Sequence, residues 1–262
     1  MVLLEQTVGS GSEIVVLTIN RPHAKNALNG ELVEGLKQTI NRLEQEDRAM
    51  AVIIKGAEGN FAAGADIKEM ATAPEEKIAE IAGRVGDLHE QIASSPMIFI
   101  SCIEGYCLGG GFELSLVTDI RIAHADATFG LPEVNLGILP GGWGTQLFTA
   151  LAGSSNAGHY LLSGEFFSSE RAHGMGLVSL CTDEPYEESL RLAGKIAAQS
   201  RPALWAIKQL ISGQQLSVLR KGLKSEREHF LALFKDGEAR EGLAAFMEKR
   251  QPTYSRGAGY GE

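Results

Sequence analysis

Apolar residues along this chain switch between two periods. In "LLEQTVGSGSEIVVLTIN" two short apolar stretches flank a Gly/Ser segment at 9–12, which predicts a β-hairpin. After the loop "RPHAKNALN", Leu32, Leu36, Ile40 and Leu43 recur at helical spacing, and Asn29 is placed to cap that helix. "AVIIKG" at 51–56 is a continuous apolar run ending in glycine, the pattern of a buried strand. "AAGADIKEM" follows as a tight loop and a helix start. The unit then recurs. Residues 75–94 are helical in composition and stop at Ser95-Pro96, and "MIFISCI" at 97–103 is a second buried strand. "EGYCLGGG" is its loop and "FELSLVTDI" opens the next helix. "RIAHADATFG" reads as a short strand, and "LPEVNLGILPGGWGTQLFTALAG" as a loop entering a helix.

Strands alternating with helices predict an α/β fold with parallel pairing. From about residue 185 the pattern is helical only, in segments 186–199, 202–213, 217–234 and 237–249, with Asp236 a candidate cap for the last. The expected organisation is an α/β core over 1–185 carrying a helical region over 186–262.

Composition narrows the function. A net charge of -9 over 262 residues argues against a general nucleic-acid binder, while leaving room for a local basic site. Three cysteines, Cys102, Cys107 and Cys181, do not make a disulfide framework, and no cysteine pair or His-x-x-x-His completes a zinc site. "MVLLEQTV" has no basic stretch ahead of an apolar run, and no uncharged apolar segment reaches membrane-spanning length. A soluble cytoplasmic protein is expected. His89, His124 and His173 have no partners at metal-ligand spacing and are expected at the surface or in packing.

Two loops carry candidate chemistry. "FAAGAD" (61–66) and "LGGGFE" (108–113) each leave a strand, pass through glycine and enter a helix. Amides at a helix start lack intrahelical acceptors and carry the positive end of the dipole. Two such loops side by side would aim two N–H groups at one oxygen, the layout of an oxyanion hole. Tight helix–strand packing is the other use of such glycines. Glu113 and Glu133 are isolated acids, each beside a glycine-rich turn. One is explained equally well as a helix-start acid and the other as a turn residue after Pro132. A low-dielectric pocket would instead tune the pair for proton transfer. There is no G-x-S-x-G elbow, no G-x-x-x-x-G-K-[ST] phosphate loop and no G-x-G-x-x-G after a strand.

With "TINRPHAKNALN", "GNFAAGADIKEM", "GYCLGGGFELSLVTDIRIAHADATFGLPEVNLGILPGGWGTQ" and "EGLAAFMEKR", the sequence resembles the crotonase superfamily, and within it the enoyl-CoA hydratases. The resemblance implies a spiral of ββα units with a C-terminal helical trimerisation region. It implies homotrimers, commonly paired into hexamers, acting on acyl-CoA thioesters. It further implies that the amides of Ala65 and Gly110 hold the thioester oxygen and that Glu113 and Glu133 are the acid/base pair. Ala63, Ala65, Asp66, Ile67, Lys68 and Gly110 would line the acyl-CoA site, and Lys25 would lie near the CoA nucleotide. Phe246 and Lys249 would contact CoA bound by a neighbouring chain. No metal or redox cofactor is implied, because coenzyme A arrives as part of the substrate.

Two positions depart from the family pattern. Trp143 stands where many relatives carry a small residue, and Leu147 where an arginine commonly follows the Gln. Both would fall near the acyl end of the site by motif position, where Trp143 would either reshape the pocket or pack in the core. The resemblance leaves two alternatives to hydration of 2-enoyl-CoA. One is Δ3–Δ2 enoyl-CoA isomerisation, which often keeps only the glutamate of "LPE". The other is a non-catalytic acyl-CoA-binding subunit. Fatty-acid, amino-acid and aromatic-acid degradation all use this scaffold.

Overall fold

The structure is a computed structural model, and it describes residues 1–9, 13–235 and 237–254. Strand β1 (Leu3–Val8) pairs antiparallel with β2 (Ile14–Ile19), as the apolar pattern predicts; most of the turn between them lies outside the described residues. Helix α1 (Gly30–Glu46) starts where Asn29 Oδ1 accepts from the Leu32 amide at 3.0 Å, and it buries Leu32, Leu36, Ile40 and Leu43. Strands β3 (Ala51–Gly56), β5 (Ile98–Ile103), β7 (Ile120–His124) and β10 (Leu180–Thr182) extend the sheet in parallel, in the order β1-β2-β3-β5-β7-β10.

Each turn of the chain also adds a short strand to a second sheet, ordered β4 (Ala62–Ala63), β6 (Tyr106–Leu108), β8 (Thr128–Gly130) and β9 (Phe167–Ser168). Thus β3–β4, β5–β6 and β7–β8 are successive coils of one spiral. The helices that follow are α2 (Ile67–Thr72), α3 (Glu75–Ser94), α4 (Gly110–Val117) and α5 (Gly144–Ala152), the last after a 3₁₀ turn at Pro132–Leu136.

Strands β2, β3 and β5 at the centre of the large sheet are buried on both faces, which explains why they read as nearly continuous apolar runs. Val15, Leu17, Val52, Ile54 and Phe99 face the main core with α1 and α4, whereas Ile14, Val16, Ala51, Ile53 and Ile100 face the opposite side. There α8 (Pro185–Ala197) covers them with Ala193 and Leu190. Two helices, α6 (Ser154–Ser163) and α7 (Ser169–Gly174), were not marked by apolar periodicity; they are short and Ser/Gly-rich.

After α8 come α9 (Arg201–Lys208) and α10 (Gln214–Lys235), joined through a π-helical turn at Gln209–Gly213, so that two predicted segments form one nearly continuous rod. Lys208 ties this rod to the core, donating to the carbonyls of Ile92 and Met97 and to Asp119 Oδ2 at 2.8–3.0 Å. The last helix, α11 (Glu238–Glu248), has Gly237 at its cap position, and the expected cap Asp236 lies outside the described residues. Its apolar face packs on its own chain: Ala239 and Leu243 join Met70, Ile78, Ile138 and Phe230. Phe246, one turn further on the same helix, stays exposed. Burying an apolar stripe is what stabilises so short a helix, and here a surface of the same chain suffices. Among the described residues no helix is long and apolar enough to cross a membrane.

Candidate active site

The spiral brings the two glycine loops together. Strands β4 and β6 pair in parallel, Ala62 beside Cys107 and Ala63 beside Leu108, so the residues that follow leave the sheet side by side. Ala65 is held by a bridge to Leu28, with the Leu28 amide donating to the Gly64 carbonyl and the Asp66 amide to the Leu28 carbonyl. A Cβ built on Gly110 would lie 3.4 Å from the Ala65 amide nitrogen. Gly110 is the first residue of α4, where an amide has no intrahelical acceptor. The two candidate donors are therefore neighbours at the positive end of a helix.

Both glutamates are buried in the same cleft. Glu113 comes from the first turn of α4 and Glu133 from the 3₁₀ turn after β8. Glu113 Oε1 accepts from the amides of Gly142 and Gly144 at 2.8 and 2.9 Å. Glu133 Oε2 is buried without a hydrogen-bond partner. Burial pushes Glu113 well above the usual carboxyl range, and the charges of Glu133 and Glu226 add to it, opposed by the two amides. Burial likewise pushes Glu133 up to about 8, with Glu226 adding. The two amide bonds favour the charged form of Glu113, and the unpartnered oxygen of Glu133 favours a protonated acid. Two interacting carboxyls of this kind titrate as a pair.

The cleft encloses about 690 Å³, within the range of small-molecule sites. Lys25, Ala63, Ala65, Asp66, Ile67, Lys68, Gly110, Glu113, Glu133 and Phe246 all line it. Lys25 has left-handed backbone and stands 4.4 Å over the Tyr106 ring. Asp66 supports the loop as well as lining it. It caps α2 through the Lys68 amide and pairs with Arg21 at 2.8 Å. Burial pushes its carboxyl up, but Arg21 outweighs this and holds it below the usual range. Phe246 lines the cleft of its own chain and is 56% exposed. Lys249 is exposed and does not line this cleft, so the structure does not bring it together with the other predicted residues.

A model of the family "Enoyl-CoA hydratase/isomerase" matches residues 9–257. The chain belongs to the enoyl-CoA hydratase/isomerase family. It is 39% identical to the 2,3-dehydroadipyl-CoA hydratase of Escherichia coli strain K12, over 95% of this chain and 98% of the relative. It is 38% identical to a probable enoyl-CoA hydratase of Bacillus subtilis strain 168, over 92% of this chain and 95% of the relative. A crystal structure of an enoyl-CoA hydratase from Bacillus anthracis superposes with a TM-score of 0.79 at 32% identity, covering 97% of this chain and 99% of that one. The mixed α/β architecture with its helical C-terminal region is thus the crotonase fold.

Against that family pattern, the structure places the two departures outside the cleft. Trp143 and Leu147 are 8% and 4% exposed, belong to the main core, and line a second cavity of about 320 Å³. Of the two alternatives for Trp143, the structure shows the one in which it packs in the core. Trp143 has left-handed backbone (φ 77°), which turns its side chain toward α3, where its ring meets His89 edge-on at 5.8 Å. His89 is fully buried, and burial lowers its pKa to about 4, so it is a neutral packing residue.

Sequence reasoning missed Glu226. It lies on α10 and is 5% exposed, and Oε1 accepts from the Trp143 amide at 2.7 Å. Oε2 accepts from the Thr145 amide at 2.9 Å and from the Thr145 hydroxyl. A signal was present. Leu219, Leu223, Phe230 and Phe234 form the apolar stripe of α10, and Glu226 falls inside that stripe.

Proposed function

We propose that this protein is an enoyl-CoA hydratase, adding water across the C2–C3 double bond of a 2-enoyl-CoA to give the 3-hydroxyacyl-CoA. The amides of Ala65 and Gly110 would hold the thioester oxygen and stabilise the enolate-like charge that develops on it. Glu113, as the carboxylate, takes a proton from water as its oxygen bonds to C3. Glu133, as the acid, delivers a proton to C2. Coenzyme A enters with the substrate, and neither step calls on a metal or redox group.

The observation that carries this reading is the contrast between the two carboxyls. One accepts two amides and the other has a buried oxygen without a partner, in one cleft beside the paired donors. A Δ3–Δ2 isomerase moves a proton within the substrate and needs one such group, so the second, differently tuned carboxyl supports hydration. A non-catalytic binding subunit has no use for two buried acids that oppose folding at neutral pH. The relative that acts on 2,3-dehydroadipyl-CoA supports an acyl-CoA thioester as the substrate class.

We take 1–185 as the catalytic core and 186–262 as an oligomerisation region, with a homotrimer, or a pair of trimers, as the assembly. Ile207, Leu210, Ile211 and Val218 support it, since this exposed apolar set lies along the α9–α10 rod.

Loss of crotonyl-CoA enone absorbance tests the activity. Glu113→Gln and Glu133→Gln should each lower kcat by at least about 10²-fold with little change in KM. Near-normal hydration by both variants would overturn the two-glutamate reading, and dependence on Glu133 alone would favour the isomerase.

A further inference from the structure

The loop that carries Glu113's hydrogen bonds is held from two sides. Four successive amides, from Gly142 to Thr145, alternate between two buried carboxylates. Gly142 and Gly144 donate to Glu113, and Trp143 and Thr145 donate to Glu226. This alternation follows from the left-handed backbone of Trp143 (φ 77°, ψ 4°) at the cap of α5. Successive amides in such a turn form an anion-binding nest, and the N-terminus of a helix adds to it.

Helix α10 approaches this loop closely. Gly222 lies one turn before Glu226, and a Cβ there would stand 1.9 Å from Gln146 Oε1. A larger residue there would meet only the end of the Gln146 side chain and would turn that amide group aside. The Thr145 hydroxyl adds a third donor to the same carboxylate. All three polar contacts treat Glu226 as an acceptor and favour its charged form, against burial, which pushes its carboxyl above the usual range.

We propose that Glu226 is a positioning residue for the hydration centre: by holding the amides of Trp143 and Thr145 it aims those of Gly142 and Gly144 at Glu113. The proposal rests on the hydratase reading of the cleft. Glu226 does not line the cleft and acts through the loop and through its charge. That charge raises the proton affinity of both Glu113 and Glu133. Three further ionisable groups on α3 and α10 are neutral or satisfied elsewhere. His89 on α3 is held neutral, Arg220 on α10 pairs with Glu90, and Arg227 donates to the Ala79 carbonyl.

The test is the pH profile of crotonyl-CoA hydration by Glu226→Gln and Glu226→Asp, beside Glu113→Gln. Glu226→Gln removes the charge and leaves one amide facing an NH₂ group. It should lower kcat about tenfold or more with KM unchanged, and move the alkaline limb of kcat/KM to lower pH by at least about half a unit. Glu226→Asp keeps the charge and should leave that limb in place. A Gln variant with normal kcat and an unmoved limb, while Glu113→Gln is inactive, would overturn the positioning role alone. A Glu113→Gln enzyme that hydrates normally would instead overturn the hydratase reading. Should Glu226→Gln fail to fold, Thr145→Val removes only the hydroxyl donor. It should lower kcat several-fold at constant KM, with Thr145→Ser restoring it, and equal kcat in Thr145→Val and wild type would overturn the proposal.

Discussion

A Cβ built on Gly109 would stand 2.9 Å from Oε1 of Glu133, so the carboxyl of the proposed acid rests directly on a glycine. Gly109 also has a positive φ (49°, with ψ -130°), a conformation that costs a side-chain-bearing residue about 1–3 kcal/mol. Gly109→Ala should therefore lose about that much stability and displace Glu133. We expect a Tm lower by a few degrees, and a kcat reduced at least about tenfold once circular dichroism shows an intact fold. A folded variant with normal kcat would mean that Glu133 is not held by this contact.

Glu133 gives a stability prediction of definite sign. Its folded pKa, about 8, lies above the unfolded carboxyl value, which is near 4.3. The folded state thus binds the proton more tightly and is progressively penalised as pH rises between those values. Glu133→Gln removes the penalty. Its Tm should exceed that of wild type at pH 8, by roughly 2–4 °C per kcal/mol gained, and the difference should shrink toward pH 5. Wild-type kcat/KM should fall above about pH 8 as the donor proton is lost. A Tm difference independent of pH would contradict the raised pKa.

Gly142 lines the cleft, while the next residue, Trp143, lines the second cavity with Leu147. Trp143→Gly suits the left-handed backbone but deletes a buried ring, a loss of about 3–5 kcal/mol before the relief of backbone strain. Joining the cavities should favour longer acyl chains. The ratio of kcat/KM for decenoyl-CoA to that for crotonyl-CoA should rise about tenfold. An unchanged ratio would mean that the ring does not partition the two spaces.

Phe246 and Lys249 separate two kinds of binding contact. Phe246 lines its own chain's cleft, so Phe246→Ala should raise KM several-fold without changing kcat, as loss of uniform binding does. Lys249 lies off that cleft. Lys249→Glu should raise KM more at low salt than at high salt, as screening requires if it meets the CoA nucleotide on a neighbouring chain. A KM indifferent to both charge and salt would remove Lys249 from the binding site.

Much of this protein is local, and the sequence by itself determined that part. Asn29 caps α1 through the amide three residues on, and β3 is the apolar run "AVIIKG" residue for residue. The two glycine loops and the two isolated glutamates are also visible in short stretches, because turn chemistry and helix ends depend on neighbours a few residues away. Only the tertiary structure decided what those groups face. Glu113 meets amides 29 and 31 residues on, and Glu226 meets amides 83 and 81 residues back. The backbone of Trp143 turns its ring from the cleft, and α11 finds its partner surface on its own chain. Residue spacing cannot specify these outcomes, because each depends on how separate coils of the spiral and α10 pack around one loop. A buried carboxylate takes its role from the donors and charges that surround it in space.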